Sequence, residues 1–247
     1  MTANEIKNIT ALHIEKYRKE KRAFLVEGPK MLEETLKSDF KIKAIYAFPG
    51  WKTDLNLAGI SVVKISAKEL SRISQLKTPN QVVVEVAMKQ HEEKLPSTDE
   101  KLILALDNIN NPGNLGTIVR TADWFGIQNI ICSQNCVDIY NPKVLQATMG
   151  SYTRVNMYYI DLPQYLRKES EKAEIYGAVV DGESLYNIDL QNKGIIVIGN
   201  ESQGVSAEIT PLIKRRITIP SYGGGAESLN ASIAAAVILS EFRRRTF

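Results

Sequence analysis

Leu102-Ile-Leu-Ala-Leu-Asp-Asn-Ile-Asn-Asn-Pro-Gly-Asn-Leu-Gly-Thr-Ile-Val-Arg-Thr-Ala-Asp-Trp-Phe-Gly-Ile-Gln-Asn-Ile-Ile-Cys132 decides the fold. Leu102 to Asp107 is apolar without alternation, as in a strand buried on both faces of a parallel sheet. Asn108 to Asn114 supplies a turn. Leu115, Ile118, Val119, Ala122 and Phe125 then recur at helical spacing, Gly126 ends the helix, and Gln128 to Cys132 is the next strand. Strand, helix and parallel strand make one βαβ unit.

Downstream the alternation continues. Strands are expected at Ile175 to Val180, Ile195 to Gly199 and Ile217 to Ile219. Helices are expected at Pro142 to Met149, Pro163 to Lys172 and Ser206 to Ile213, the last capped by Ser206, so this part of the chain reads as α/β. The final stretch, Ile217-Thr-Ile-Pro-Ser-Tyr-Gly-Gly-Gly-Ala-Glu-Ser-Leu-Asn230, passes from a β-branched run stopped at Pro220 through three glycines into an Ala-rich helix opened by Glu227-Ser228. Gly223 to Gly225 permit positive φ and close backbone approach, and the N–H groups of a helix start favour a carboxylate or phosphate. Leu229, Ile233, Ala236, Val237 and Ser240 share one helix face. The opposite face, Ala231, Ala234, Ala235 and Ile238, is also small or apolar, so burial nearly all round is expected. Asn230 is then a buried amide in a first helical turn, either a cap-and-packing residue or a ligand contact.

Upstream, residues 1–22 alternate charge with Ile6, Ile9, Leu12, Ile14 and Tyr17, which predicts one amphipathic helix. Its end, Lys16-Tyr-Arg-Lys-Glu-Lys-Arg22, is either a phosphate-contacting cluster or an ordinary charged helix end. Phe24 to Glu27 is a strand stopped by Gly28-Pro29, followed by a helix through Met31, Leu32, Thr35 and Leu36. Strands at Ile42 to Phe48, Ser61 to Ile65 and Gln81 to Ala87, with a Ser66-capped helix through Leu70 and Ile73, complete a small α/β domain. Met88 to Glu100 is charged, poor in apolar residues and carries a proline, which reads as a linker; two domains follow, 1–95 and 96–247.

The chain has 247 residues and a net charge of +3, unevenly spread: residues 1–98 hold 17 Lys/Arg against 12 Asp/Glu. An excess of that kind suits a polyanion such as RNA and equally an ordinary solvated surface. The start has no apolar signal core and no run is long enough for a membrane span, so a soluble cytoplasmic protein is expected. Cys132 and Cys136 have no second pair, and His13 and His91 lie far from them in sequence. Neither zinc nor a disulfide scaffold is expected.

Three stretches carry candidate chemistry. Asn114 and Arg120 are expected to flank the helix start at the carboxyl end of the first strand of the βαβ unit, where open α/β sheets place ligands, and an Arg there can fork onto a phosphate. A salt bridge to Asp123 is its plainer reading. Ile195-Ile-Val-Ile-Gly-Asn-Glu-Ser-Gln-Gly-Val-Ser206 runs from an apolar strand into a polar, glycine-bearing loop. The third is the Pro220 to Asn230 loop. In this order and spacing, Asn111-Pro-Gly-Asn-Leu-Gly-Thr-Ile-Val-Arg-Thr-Ala122, Ile198-Gly-Asn-Glu-Ser-Gln-Gly204 and Ile219-Pro with Glu227-Ser-Leu-Asn-Ala-Ser232 resemble the three motifs of the SpoU (TrmH-like) branch of the SPOUT RNA methyltransferases, over residues 101 to 245. Phe24-Leu-Val-Glu-Gly-Pro-Lys30 is similar to the opening of the small substrate-binding domain that precedes the catalytic domain in many members.

The resemblance implies a parallel-sheet SPOUT domain with a C-terminal trefoil knot holding S-adenosylmethionine, preceded by the small α/β domain. By position, the cofactor would lie against the backbone of Gly199, Ile219 and Leu229, with Pro220 shaping the loop. Asn114, Arg120, Glu201, Ser228 and Asn230 match the family's polar active-site positions. A homodimer is implied, as is transfer of a methyl group to a ribose 2′-hydroxyl in RNA, ribosomal RNA ahead of transfer RNA. Ser221 and Tyr222 depart from the pattern after the proline, where a Met is often found. Two rival classes remain: a dinucleotide-dependent oxidoreductase, which needs a G-x-G-x-x-G that Gly113-Asn-Leu-Gly116 does not supply, and a non-catalytic RNA-binding protein, which could dispense with the polar residues retained here.

Overall fold

Two sheets organise the chain in this computed structural model, which describes residues 1–89, 95–98, 101–223, 225 and 227–244. Contacts divide the chain into two units, residues 1–91 with 138–153, and residues 92–137 with 154–247. The expected linker, Met88 to Glu100, falls partly on residues 90–94, 99 and 100, which lie outside the described residues.

The first unit holds a four-stranded mixed sheet of order β1-β4-β2-β3, formed by β1 (Ala23–Glu27), β2 (Ile42–Ala47), β3 (Val62–Lys64) and β4 (Val82–Ala87). β4 runs antiparallel to both β1 and β2. All five residues of β1 are buried, because helices pack on the sheet, among them α6 (Pro142–Thr148) of the segment 138–153. Ser66 caps α4 (Ala67–Ile73) in a capping box with Glu69, as its Ser-x-x-Glu spacing dictates. Pro29 opens α3 (Pro29–Leu36), preceded by Gly28 at φ +100°, a left-handed turn that favours glycine.

The single helix expected over residues 1–22 is two: α1 (Ala3–Thr10) and α2 (Glu15–Lys21), separated by a 3₁₀ turn at Ala11–His13 and an extended Ile14. The cause is Arg18. Its side chain is 2% exposed, and its guanidinium donates to the carbonyls of Leu12 and His13 (3.1 and 2.9 Å), which are then diverted from a continuous helical ladder. The same group donates twice to Asp138 Oδ2, at 3.0 and 2.7 Å. Arg18 therefore cannot serve the phosphate-contacting cluster, and Lys19 is held by Glu15 at 2.6 Å.

His13 Nε2 donates to the carbonyl of Ile73 at 2.9 Å while its buried Nδ1 has no hydrogen-bond partner among the described residues. Burial lowers its pKa below the ordinary histidine value, opposed by the Ile73 carbonyl and Glu27 and assisted by Arg18. The folded state thus resists a proton that the unfolded chain accepts. Stability is fully present above the unfolded value near 6.5 and falls as pH drops from there toward the folded value. Melting midpoints from pH 7.5 to 5 should fall less steeply for His13→Gln than for wild type; parallel curves would exclude His13 as a source of the slope.

The second unit is built on a six-stranded parallel sheet of order β10-β8-β9-β5-β6-β7. The central β5 (Leu102–Leu106) and β9 (Gly194–Ile198) are buried throughout. They pair from Leu102 with Gly194 to Leu106 with Ile198. β6 (Asn129–Ser133) completes the expected βαβ unit beside β5. β7 (Asn156–Ile160) was not among the expected strands; it lies at the sheet edge, half-buried, where the apolar signal is diluted. α7 (Leu162–Glu169) follows, capped by Asp161.

β8 (Ile175–Ser184) has ten residues against five in β9, and the four-residue β10 (Arg215–Thr218) pairs with it through a register shift between Arg216 and Ile217. The helix expected at Ser206 to Ile213 is instead a set of turns with a 3₁₀ helix at Thr210–Leu212. Pro211 cannot donate to a helical ladder, so the helix does not propagate past it. Within the linker stretch, Leu95 packs on this unit's core, and Thr98 donates to Glu169 Oε2 at 2.7 Å.

Candidate active site

α5 (Pro112–Trp124) begins where Asn111 turns the chain out of β5. The Asn111 Oδ1 accepts from the N–H groups of Gly113 (2.9 Å) and Asn114 (3.2 Å), and Pro112 occupies the first helical position, where no N–H is needed. This cap points the Asn114 side chain toward the loop after β9. From β5 the chain moves to β6 on one side, while β9 flanks β5 on the other. The carboxyl ends of β5 and β9 are therefore the topological switch point, where open α/β sheets bind ligands.

Glu201, in the β9 loop, organises the polar groups there. Its Oε1 accepts from the Asn114 amide, from Asn230 Nδ2 at 2.5 Å and from the Ala231 N–H at 3.0 Å. Asn230 Nδ2 also donates to Asn114 Oδ1 at 3.0 Å, and Ser228 Oγ reaches the Glu201 carbonyl at 3.5 Å. Four of the five expected polar site residues, 116 positions apart at the extremes, thus form one cluster. The carboxylate sits at the N-terminus of α8 (Ala231–Arg244), where the helix dipole and free N–H groups favour negative charge.

Two expectations for this segment are corrected. Glu227 and Ser228 do not open the helix; it begins at Ala231, and Asn230 caps it, its Oδ1 accepting from the Ser232 N–H (3.0 Å) and hydroxyl (2.6 Å). Asn230 is accordingly exposed, not buried. Nor is α8 buried all round. Ala231, Ala235, Ile238, Leu239 and Phe242 face the core, whereas Ile233 is 51% exposed, Leu229 just before it 46%, and Ser240 is open to solvent. The helix packs on α5, whose last residue, Trp124, is 85% exposed.

No hydrogen bond joins Arg120 to the cluster among the described residues. It lies more than two turns into α5, on the exposed face shared with Gly113, Thr117 and Trp124. Its plainer reading, a salt bridge to Asp123, is not realised: Asp123 is held by Arg154, whose Nε donates at 2.9 and 3.2 Å and whose Nη2 lies at 2.9 Å. Among the described residues Arg120 has no ion-pair partner, which leaves a free cation.

The expected backbone positions divide. A Cβ on Gly199 would come within 2.3–2.4 Å of Gly204 and Val205 backbone atoms, so glycine is required by the hairpin-like closure of the β9 loop, where Asn200 and Gly204 pair. Leu229 adjoins the cluster. Ile219 and Pro220 follow β10, two strand positions from β9, and no hydrogen bond joins them to the cluster among the described residues. Gly223 and Gly225 have open space where a side chain would project.

Residue-type reasoning passed over the groups beneath the cluster. Asp107, 2% exposed at the end of β5, holds the β9 loop through Ser206 and accepts from Asn108 Nδ2 at 3.0 Å. Asn200 Nδ2 donates to the Asn108 carbonyl at 2.9 Å, tying the two loops. A carboxylate ending an otherwise apolar strand was the available signal, since a buried charge must be satisfied. Cys132 and Cys136 are free and buried, and Cys136 Sγ donates to the Leu106 carbonyl at 3.3 Å. Among the described residues no group of His, Cys, Asp or Glu is placed to hold a metal, and no helix is long and apolar enough to cross a membrane.

A parallel α/β sheet with a polar cluster at its switch point defines the class, a ligand-binding α/β domain coupled to a smaller mixed-sheet domain. Residues 101–240 match the SpoU rRNA Methylase family and residues 3–84 the MRM3-like substrate binding domain. The chain belongs to the SpoU methylase family. It is 31% identical over 242 residues to the Bacillus subtilis 23S rRNA (guanosine(2553)-2′-O)-methyltransferase RlmP, covering 97% of this chain and 96% of that protein. Among solved structures, a TrmH-family protein from Porphyromonas gingivalis superposes with a TM-score of 0.86 at 36% identity, covering 99% of both chains. The AdoMet-bound rRNA methyltransferase of Sinorhizobium meliloti superposes at 0.87 with 28% identity, covering 100% of this chain and 97% of that one.

Proposed function

We propose that this protein is an S-adenosylmethionine-dependent methyltransferase that modifies a ribose 2′-hydroxyl in ribosomal RNA. The observation that carries the reading is the cluster of Asn114, Glu201, Ser228 and Asn230 at the switch point, assembled from three separated motifs. Similarity to RNA methyltransferases along essentially the whole chain supports it. The cofactor contributes an electrophilic methyl group on a sulfonium centre. Gly199, Ile219, Pro220 and Leu229 are the residues that would hold it, and a half-exposed leucine next to the polar cluster suits a partly apolar molecule.

In this reading Asn114, Ser228 and Asn230 orient the ribose, and Glu201 fixes both amides. Arg120 holds the neighbouring phosphate and stabilises developing alkoxide; an arginine is a poor general base, so proton loss falls to that phosphate or to solvent. The exposed apolar groups Ile233 and Trp124 support a homodimer formed through α5 and α8. Division into a substrate-binding domain (1–95) and a methyltransferase domain (96–247), a knotted C-terminal segment, and a cytoplasmic location belong to the same proposal.

Isothermal titration with S-adenosylmethionine tests the core of it. Wild type is expected to bind saturably, Asn230→Ala to retain binding within about tenfold, and Leu229→Arg to lose at least ~100-fold in affinity, as a charge is forced into the contact. Absence of binding at millimolar cofactor would overturn the reading.

A further inference from the structure

The first unit contains a cavity of about 310 Å³ in which none of the cluster residues takes part. Its walls include Leu25, Met31, Leu76 and Leu145, and its polar lining includes Glu27 and Lys143. Apolar walls with a few placed polar groups are the make-up of a small-ligand site, and the volume is at the lower end of the roughly 300–1,000 Å³ such sites occupy.

Glu27 gives the cavity its chemistry. It ends β1, is 7% exposed, and each carboxylate oxygen has one donor: Ser74 Oγ donates to Oε2, and the N–H of Gln75, which also lines the cavity, donates to Oε1 at 3.0 Å. A carboxylate has about four lone-pair sites, so one acceptor on each oxygen remains for a guest. The geometry is that of a rigid, two-pronged acceptor in an apolar slot. Among nucleobases only guanine offers two adjacent donors, N1–H and the 2-amino group, on one edge. Adenine and cytosine offer one amino group beside an acceptor, and uracil one N–H between two. Lys143, exposed and part of the same lining, can meet a phosphate.

We infer that this cavity takes an unpaired guanine of the RNA substrate, its Watson–Crick edge on Glu27 and its faces against the apolar walls. This rests on the proposed RNA methyltransferase reading and adds a base-specific contact remote in sequence from the methyl-transfer motifs. Single-stranded bases splayed into apolar pockets are the common route to sequence-specific RNA recognition.

The test is binding of the full-length protein to uridine hexamers carrying one central guanine, inosine or adenine, with S-adenosylmethionine titrated in parallel. The guanine hexamer is expected to bind about tenfold more tightly than the inosine one, which lacks the 2-amino group, and more tightly still than the adenine one. Glu27→Gln should erase that preference. Ala147→Trp, which fills the cavity from another wall, should erase it without touching the carboxylate or its partners. Equal binding of the three hexamers, or a guanine preference unchanged in Ala147→Trp, would overturn the inference; so would guanosine 5′-monophosphate binding as tightly as the hexamer, which would assign the cavity to a free nucleotide. Wild type that binds the cofactor yet shows no guanine preference sinks the inference alone, whereas wild type that fails to bind the cofactor sinks the methyltransferase reading.

Discussion

Arg120→Ala is expected to lower methyl transfer to undermodified ribosomal RNA by about 10²–10³-fold while leaving the S-adenosylmethionine dissociation constant within about twofold of wild type, the size of effect seen when one preorganised group facing developing charge is removed. The expectation follows from what the side chain does not do. Asp123, its nearest natural partner in sequence, is occupied by Arg154. Arg120 stands exposed with no ion-pair partner among the described residues, so its removal leaves no buried charge behind and should cost little stability. A loss of turnover would then be chemical. Arg120→Lys should recover only part of the rate, because an ammonium keeps the charge but not the planar fork that matches a phosphate. Single-turnover assays over cofactor concentration separate the two constants. Turnover of Arg120→Ala within about threefold of wild type would remove Arg120 from the mechanism.

The second large effect is on folding. Arg18→Met is expected to cost about 3–5 kcal/mol, because it strands Asp138 and leaves the Leu12 and His13 carbonyls without their donors. The midpoint of the first thermal transition should fall by at least about 10 °C. Arg18→Met combined with Asp138→Leu should recover part of the loss, since it is the unpaired charge that carries most of the penalty. A single variant within about 1 kcal/mol of wild type would show that the pair contributes little. Asp138 belongs to the segment 138–153, which also gives the first unit Tyr140, its ring 4.3 Å from that of Phe24, and Tyr152, which bonds Thr35. A fragment ending at residue 95 lacks all three and is expected to melt without cooperativity, measured by circular dichroism.

Much of this architecture is legible in the chain. The unbroken apolar run Leu102 to Leu106 reads as a doubly buried strand, and the Leu115, Ile118, Val119, Ala122 spacing as one helix face; both are where they are expected. Caps are equally local: Ser66 with Glu69, Asn111 before Pro112, and Asn141 before Pro142 each satisfy N–H groups two or three residues away. Where local signals compete with distant partners, the reading fails. Residues 1–22 have the period of one helix, yet the two carbonyls at its middle bond Arg18, itself held by Asp138 120 positions on. Ser206 has a cap residue's chemistry, yet Pro211, five positions on, prevents the helix it would have capped.

For the site, residue types and motif order singled out Asn114, Glu201, Ser228 and Asn230, and the fold brings these four together. Composition could not show that a single oxygen, Glu201 Oε1, receives three of the donors, because that depends on the loops after β5 and β9 meeting at the switch point. Nor could periodicity distinguish the two faces of α8, which are similar in apolar content; only its packing on α5 shows which is covered and which, with Ile233 and Leu229, is left exposed. The sequence by itself determined the elements, their caps and the α/β class, since those are set by interactions spanning a few residues. The tertiary structure alone decided that Arg18 is buried while Arg120 has no ion-pair partner among the described residues, that residues 138–153 leave the parallel sheet's unit to join the first, and that Glu27 lines a cavity, because each depends on groups tens of positions apart whose meeting is a property of strand order and not of any local pattern.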